Sequence, residues 1–293
     1  MFSLLDKRFT DILVQPARKR NEYSAFCSMV DSADIPEYSK IVFFGDRGYT
    51  SYNNFAHVIE RGQFFLIRCN DKRASGMMGH PVDTLPAFDE DISLILTRSK
   101  AITKYSRPEL FSSYRYVYQN TPMDYLNDLT TEYDLSLRLL RIQLKDGSYE
   151  NIATNLPRDE FKTEDFEMLY HLRWSEENSF RDLKYSLCLK AFHSKKYAYI
   201  AQEVWARVIL YNFSSNIIIN VTIKREDCAY EYQANYSSAL KTCRDFLRIH
   251  DGTTKINVES LIAQNIEPIR PGRTFARQHR FKRGCKNSCV YGK

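Results

Sequence analysis

The sequence has no uninterrupted apolar run long enough to cross a membrane. Its longest candidate, residues 197–221, is broken by Gln202, Glu203, Arg207, Asn212 and Asn216 and reads as a buried helix. A second cysteine pair at metal spacing is also missing. The seven cysteines, at 27, 69, 188, 228, 243, 285 and 289, are scattered and odd in number, so free thiols are expected. Cys285-x3-Cys289 has only His279 nearby, a poor substitute for the other half of a structural zinc site. Nothing at the start reads as a secretory leader, which together with the cysteines points to a reducing, cytoplasmic setting. There is no internal repeat or low-complexity tract. Acidic residues are absent from Ile269 to Lys293, where Arg270, Arg273, Arg277, Arg280, Lys282, Arg283, Lys286 and Lys293 form a basic tail. Such a tail suits either plain solvation or contact with nucleic acid.

What is present is a large supply of core. The chain has 293 residues, 43% hydrophobic, with 20 Tyr and 18 Phe, enough for one large domain with an insertion or two ordinary ones. The aromatics suit a core first and a base-stacking surface second. The formal charge of +6 is too modest to identify a polyanionic partner by itself.

Along the chain, Phe2 to Leu5 and Phe9 to Gln15 read as a β-hairpin closed by Pro16. Asn21 can cap a helix that turns Tyr23, Phe26, Cys27 and Val30 inward. Ile41 to Phe44 is a short apolar run ending in Gly45-Asp46, the pattern of an interior strand covered on both faces. A helix capped by Ser51 and stopped by Gly62 follows, then a strand over Phe64 to Ile67. This β-α-β unit puts Asp46 at a carboxyl strand end, where open α/β sheets keep their sites. Asn70 to Phe88 reads as turn-rich. Ile92 to Thr97, Ser113 to Gln119, Leu135 to Leu144 and Tyr149 to Thr154 read as strands, with Asp146-Gly147 as a hairpin turn. Helical patterns then cover 164–187, 197–219, 233–249 and 255–265.

The first of these helices carries the chemistry. On one continuous helix, Arg173, Glu177 and Lys184 fall within about 60° of Tyr170, a narrow stripe of phenol, guanidinium, carboxylate and ammonium. Leu169, Leu172, Phe180, Leu183 and Leu187 form the adjoining sector, expected to bury against the sheet. By spacing alone, a salt-bridged amphipathic helix explains the same stripe. Glu176 falls within the apolar sector, where an unpaired carboxylate is costly.

Tyr170-x2-Arg173-x3-Glu177-x6-Lys184 resembles the Y-R-E-K signature of DDE transposases of the insertion-sequence-four type. Asp46-Arg47-Gly48-Tyr49 resembles that family's second acidic motif, and Asn155-Leu156-Pro157 before the signature helix also fits. The resemblance implies an α/β, ribonuclease-H-like fold with a β-rich insertion, followed by C-terminal helices. It divides the chain into 1–69, first part of the core; 70–160, β-rich insertion; 161–266, signature helix and following helices; and 267–293, basic tail. It implies DNA strand cleavage and transfer by carboxylates holding two divalent ions, Mg²⁺ or Mn²⁺. Asp46 and Glu177 are the implied catalytic metal ligands. Tyr170, Arg173 and Lys184 are the implied grips on transposon-end phosphates, and Lys190, His193, Lys195 and Lys196 either extend that track or form a solvated loop. In the family the first carboxylate sits on the first of three antiparallel strands. Here the hairpin reads as the second and third, so an N-terminally truncated chain, inactive alone, is expected; neither Asp6 nor Asp11 is placed to substitute. The alternative is a non-catalytic DNA-binding remnant or inhibitor that joins a full-length transposase in mixed assembly or self-associates. Tyr114, Tyr116 and Tyr118 are candidates for stacking on a base, or ordinary strand faces.

Overall fold

The computed structural model describes residues 1–100, 111–144, 146–172, 174–223, 230–249 and 257–269. In chain order the elements are β1 (Phe2–Ser3), β2 (Arg8–Phe9), α1 (Glu22–Ser32), β3 (Val42–Gly45), α2 (Tyr52–Glu60), β4 (Phe64–Cys69), α3 (Asp71–Met78) and β5 (Phe88–Thr97). There follow β6 (Tyr114–Tyr116), β7 (Glu132–Gln143), β8 (Tyr149–Thr154), α4 (Asp165–Leu172), α5 (Trp174–Tyr185), α6 (Tyr197–Asn220), β9 (Tyr232–Ala234), α7 (Tyr236–Ile249), α8 (Val258–Gln264) and β10 (Ile266–Pro268). They divide into two compact units, Gln15–Arg173 and Met1–Val14 with Trp174–Lys293.

The first unit is built on a six-stranded sheet in the order β3-β4-β8-β7-β5-β6. β3 and β4 are parallel, as the β-α-β reading requires, while β8 pairs antiparallel to β4 and to β7. The strands of the β-rich region and of the β-α-β unit that carries Asp46 therefore form one sheet. Strand alternation sorts the side chains to two faces. Val42, Phe44, Phe64, Leu66, Leu140, Ile142 and Ile152 pack with Phe166, Leu169 and Tyr170 of α4 on one face. On the other, Phe55 of α2 stacks on Phe65 of β4 at 4.6 Å, and Phe26 of α1 meets Phe43 of β3 edge-on. Each fully buried aromatic or branched side chain contributes about 1.5–3 kcal/mol.

Two expectations need correction here. β3 has both faces covered as expected, yet among the described residues it pairs only with β4 and forms an edge of the sheet, not an interior strand. Asn70 to Phe88 is not all turn: the Asn70 side chain accepts from Arg73 N and starts α3, which ends at Gly79 with φ +82. The residues that signalled turns are the caps of a helix.

In the second unit the expected hairpin is reduced to two residues per strand and forms a sheet of its own, apart from the six-stranded sheet it was expected to join. Its backbone finds a helix instead of a strand. Asn212 of α6 accepts from Phe9 N at 2.8 Å and donates to Phe9 O at 2.8 Å, while Phe2 and Phe9 pack edge-to-face on Tyr211. Tyr211, Leu183, Leu187, Val208, Leu240, Cys243 and Ile262 continue this core through α5 to α8. Leu183 and Leu187 thus bury among helices, and Phe180, 40% exposed, meets Phe9 edge-to-face at 5.6 Å. Leu172, in the first unit, is also 40% exposed.

Cys27, Cys69 and Cys243 are free and buried, whereas Cys188 is disulfide-bonded, against the expectation of free thiols throughout. No helix among the described residues is long and apolar enough to cross a membrane. Arg173, the tail from Arg270 to Lys293 and the side chain of Glu176 lie outside the described residues.

Candidate functional site

The acidic turn at the end of β3 is shaped by two glycines. A Cβ on Gly45 would lie 3.0 Å from Ile67 Cγ1 and 3.2 Å from Tyr49 Cβ, so the strand reaches its end only without a side chain there. Asp46 then leaves the strand in an extended conformation and caps the 3-10 turn Arg47–Tyr49, accepting from Gly48 N at 2.8 Å. A Cβ on Gly48 would press on that carboxylate oxygen at 2.9 Å. Thr50 Oγ1 fastens the turn to the next strand by donating to Arg68 O at 2.9 Å. The Asp46 side chain remains exposed.

Arg68 is a residue that the sequence reading missed. Gly45 pairs with Ile67, so Asp46 and Arg68 are the next residues at neighbouring carboxyl strand ends. By alternation Arg68 falls on the same face as Leu66, the face covered by α4. Its guanidinium forms an ion pair with Glu150 of β8, lies 5.7 Å from the centre of the Tyr170 ring, and places Nη1 3.4 Å from the Tyr170 hydroxyl. Tyr170 is 7% exposed; its ring belongs to the core and its hydroxyl to this polar edge.

Two further clusters steady the same sheet. Asp71, at the start of α3, binds Arg141 Nη1 at 2.7 Å and Asn151 Nδ2 at 2.8 Å; these hydrogen bonds hold its carboxyl below the usual range. Arg138, buried on the α4 face, makes a two-toothed pair with Asp89 at 2.7 and 2.5 Å, donates to Phe161 O and lies 4.9 Å over Phe166. The signal that could have found all three was in the sequence: Arg68, Arg138, Arg141 and Glu150 interrupt otherwise apolar strands, and a buried charge needs a partner.

Glu177, Lys184, Lys190, Lys195 and Lys196 lie in the second unit. Helix is described over Asp165–Leu172 and Trp174–Tyr185, on either side of Arg173, which lies outside the described residues; Tyr170 is on the first stretch and Glu177 and Lys184 on the second. Glu177 and Lys184 are seven residues apart, hence on one face of α5, and both are exposed. Lys184 Nζ lies 5.9 Å over the Phe180 ring, and Lys190 Nζ 4.5 Å over Tyr185 and 3.1 Å from its hydroxyl. Lys195 and Lys196 are exposed, Lys196 directly before α6. Their loop is fastened to that helix: Glu203 accepts from His193 N at 2.9 Å, and Arg207 donates to Leu187 O and Ala191 O. Of the three tyrosines named for stacking, Tyr114 donates to Glu132 and Tyr116 packs edge-on against Tyr118, the most exposed.

Asp46 and Glu177 are exposed carboxylates, the hard oxygen donors that Mg²⁺ and Mn²⁺ take. Among the described residues no three His, Cys, Asp or Glu side chains form a ready-made metal cluster. A family model described as transposase DDE domain matches residues 1–213. No curated protein matches the chain.

Proposed function

Because the chain belongs to the transposase DDE domain family, we propose that it contributes the second and third carboxylates, Asp46 and Glu177, of a metal-dependent site for DNA strand cleavage and transfer of the insertion-sequence-four type. The observation that carries this reading is the Asp46 turn, whose two close-packed glycines end a strand beside Arg68, itself joined to the signature residue Tyr170. Divalent ions supply activation of the attacking oxygen and neutralise the leaving one. The chain's own residues do the rest. Asp46 and Glu177 hold positive charge near the phosphodiester, and Arg173 and Lys184 neutralise phosphate oxygens. The Tyr170 hydroxyl, set by Arg68, adds a neutral donor. Lys190, Lys195 and Lys196 extend the phosphate track. The first carboxylate of the trio is not assigned to a residue of this chain, and the 293 residues alone are expected to bind DNA while cleaving it poorly.

The test is to incubate the purified chain with duplexes taken from the DNA flanking its gene, with Mg²⁺ or Mn²⁺, beside Glu177→Ala. The expected result is salt-dependent binding with little cleavage. Robust cleavage lost in Glu177→Ala would show that the site is complete in this chain. Binding without any salt slope, or no binding, would remove the DNA reading altogether. Salt-dependent binding that leaves Glu177→Ala and wild type equally inert with a full-length partner present would favour the non-catalytic inhibitor.

A further inference from the structure

Helix α2 carries a second face that the acidic turn does not use. Phe55 and Val58 point into the sheet, while Asn53, His57 and Glu60, at the i, i+4 and i+7 positions, form a polar stripe on another side. The long connection between β6 and β7 docks on that stripe. Asn53 Nδ2 donates to Asp124 Oδ2 at 2.9 Å and Asn53 Oδ1 accepts from Asp124 N at 2.8 Å. Tyr133, at the start of β7, donates to Glu60 at 2.9 Å. Between them His57, whose side chain is 9% exposed, meets a carboxylate at each ring nitrogen: Nδ1 lies 2.8 Å from Asp31 Oδ1 of α1, and Nε2 lies 2.9 Å from Asp124 Oδ2.

A neutral imidazole has one N–H and one lone pair, so it can satisfy only one of two carboxylates and turns its lone pair on the other. Only the imidazolium donates to both. We propose that His57 is a proton-gated clasp: in its charged form it joins α1, α2 and the Thr121–Thr130 connection, and loss of its proton releases the connection while α1 stays in place. Release falls on the Asp124 side for two reasons. Asp31 belongs to a helix held by the buried Cys27 and Val30, and the Asp124 side chain is the more hydrated of the two carboxylates.

The surroundings favour the charged form. Burial pulls the imidazole down, but the hydrogen bonds and charges of Asp31 and Asp124 outweigh it, so the group titrates above its ordinary value. From α1, Cys27 faces the cluster with its thiol pushed up to about 12 by burial and by the two aspartates, hence neutral. From the connection, Tyr125 sets its ring edge-on to His57 at 5.1 Å, its phenol raised to about 12 by burial. From β7, Tyr133 is raised further by burial and Glu60. Arg61, next along α2, is engaged with Ala33 O. Asp124 is held below the usual carboxylate range by its bonds to Asn53 and His57. The clasp is therefore closed between the depressed titration of Asp124 and the raised titration of His57, and opens as pH rises through the latter. α2 also touches the acidic turn, through Asn54 Nδ2 donating to Tyr49 O at 2.9 Å, yet the clasp requires no DNA chemistry.

The experiment follows the His57 ring by nitrogen NMR and amide exchange at Asp124 and Leu126 in the folded full chain, corrected for intrinsic rate, from mildly acidic to alkaline pH. Expected are a ring protonated on both nitrogens at mildly acidic pH that titrates above the ordinary imidazole value, and protection that falls about tenfold or more as the ring deprotonates, the loss of one charge-assisted hydrogen bond. His57→Gln should show the lower protection at every pH. If that variant does not fold, Asp31→Asn serves in its place, and there both transitions should move together to lower pH. A ring that titrates at or below the ordinary imidazole value, protection indifferent to ring deprotonation, or Asp31→Asn with an unmoved transition would each overturn the proposal. None of these readouts depends on DNA cleavage, so failure here and failure of the transposase reading are told apart.

Discussion

Replacing Asp89 by Ala tests whether the charges inside the sheet hold α4. Asp89 lies under 11% exposure beside Arg138, itself at 3%, and also receives Arg158 and Thr163. Removing the carboxylate leaves the Arg138 guanidinium buried with only Phe161 O and the face of Phe166, and stranding a buried charge costs about 3–5 kcal/mol. For a unit of this size about 2–4 °C accompanies each kcal/mol, so the melting temperature should fall by about 6–20 °C. Acid should erase the difference between wild type and variant. Burial raises the Asp89 carboxyl, but Arg138 and Thr163 lower it more, so the net value is depressed. The stability this group supplies is present above the ordinary carboxylate value and is lost as pH falls through the depressed one. Calorimetry at neutral and acid pH measures both effects. The double change Asp89→Leu with Arg138→Met should recover most of the loss, because an apolar pair of similar volume avoids desolvation. A cost under about 1 kcal/mol for Asp89→Ala, or a double variant no better than the single one, would refute the reasoning.

Asn155→Ala should lower the denaturation midpoint by about 1–3 kcal/mol of stability, since its side chain accepts from Phe65 N and donates to Gln63 O, pinning the start of β4 to the residue after β8. Asp182→Asn should stabilise the second unit at neutral and alkaline pH. Asp182 is buried beside Ser237, and burial outweighs that hydrogen bond and the charge of Arg181 to raise its carboxyl. A carboxyl raised by folding favours the folded state below its unfolded value and loses that contribution as pH rises through the raised one. The gap between variant and wild type in denaturant titrations should therefore widen with pH.

The β-α-β unit was legible because its signals are local: a four-residue apolar run, a capped helix, a second apolar run. The Asn21 cap and the Gly62 stop stand where expected, Gly62 at φ +65. The edge position of β3 was not legible, because strand order depends on partners far along the chain, β8 above all. The hairpin forms over only two residues per strand, and outside the large sheet, for a related reason. Alternation over Phe2 to Leu5 and Phe9 to Gln15 foretold longer strands, but the further partner of the Phe9 backbone is the side chain of Asn212, some two hundred residues away, and no local pattern announces it. Asn70 and Gly79 were read as turn formers although the same side-chain and backbone preferences cap helices. At the candidate site, Asp46 was singled out by its place after an apolar strand. Arg68 and Glu150 were passed over because a single charge in a strand gives no sign of which residue answers it.

Those unread charges bear most on how Tyr170 can act. Val42 and Phe44 point to the α4 face of the sheet, and Asp46, still extended, follows in the same alternation. Arg68 and Glu150 reach that face from the next two strands, and the Tyr170 hydroxyl rests against Arg68. Tyr170 is therefore not a freely swinging surface donor. Its ring is fixed by Leu66, Ile152 and Phe166, and its hydroxyl is aimed by a guanidinium that Glu150 holds. Arg68→Met would leave the ring in place while removing what aims the hydroxyl, whereas Tyr170→Phe would remove the hydroxyl and keep the packing. If the phenol acts through that hydroxyl, the two changes should weaken DNA binding by similar factors and their double variant by no more than either, the signature of residues that act as a unit.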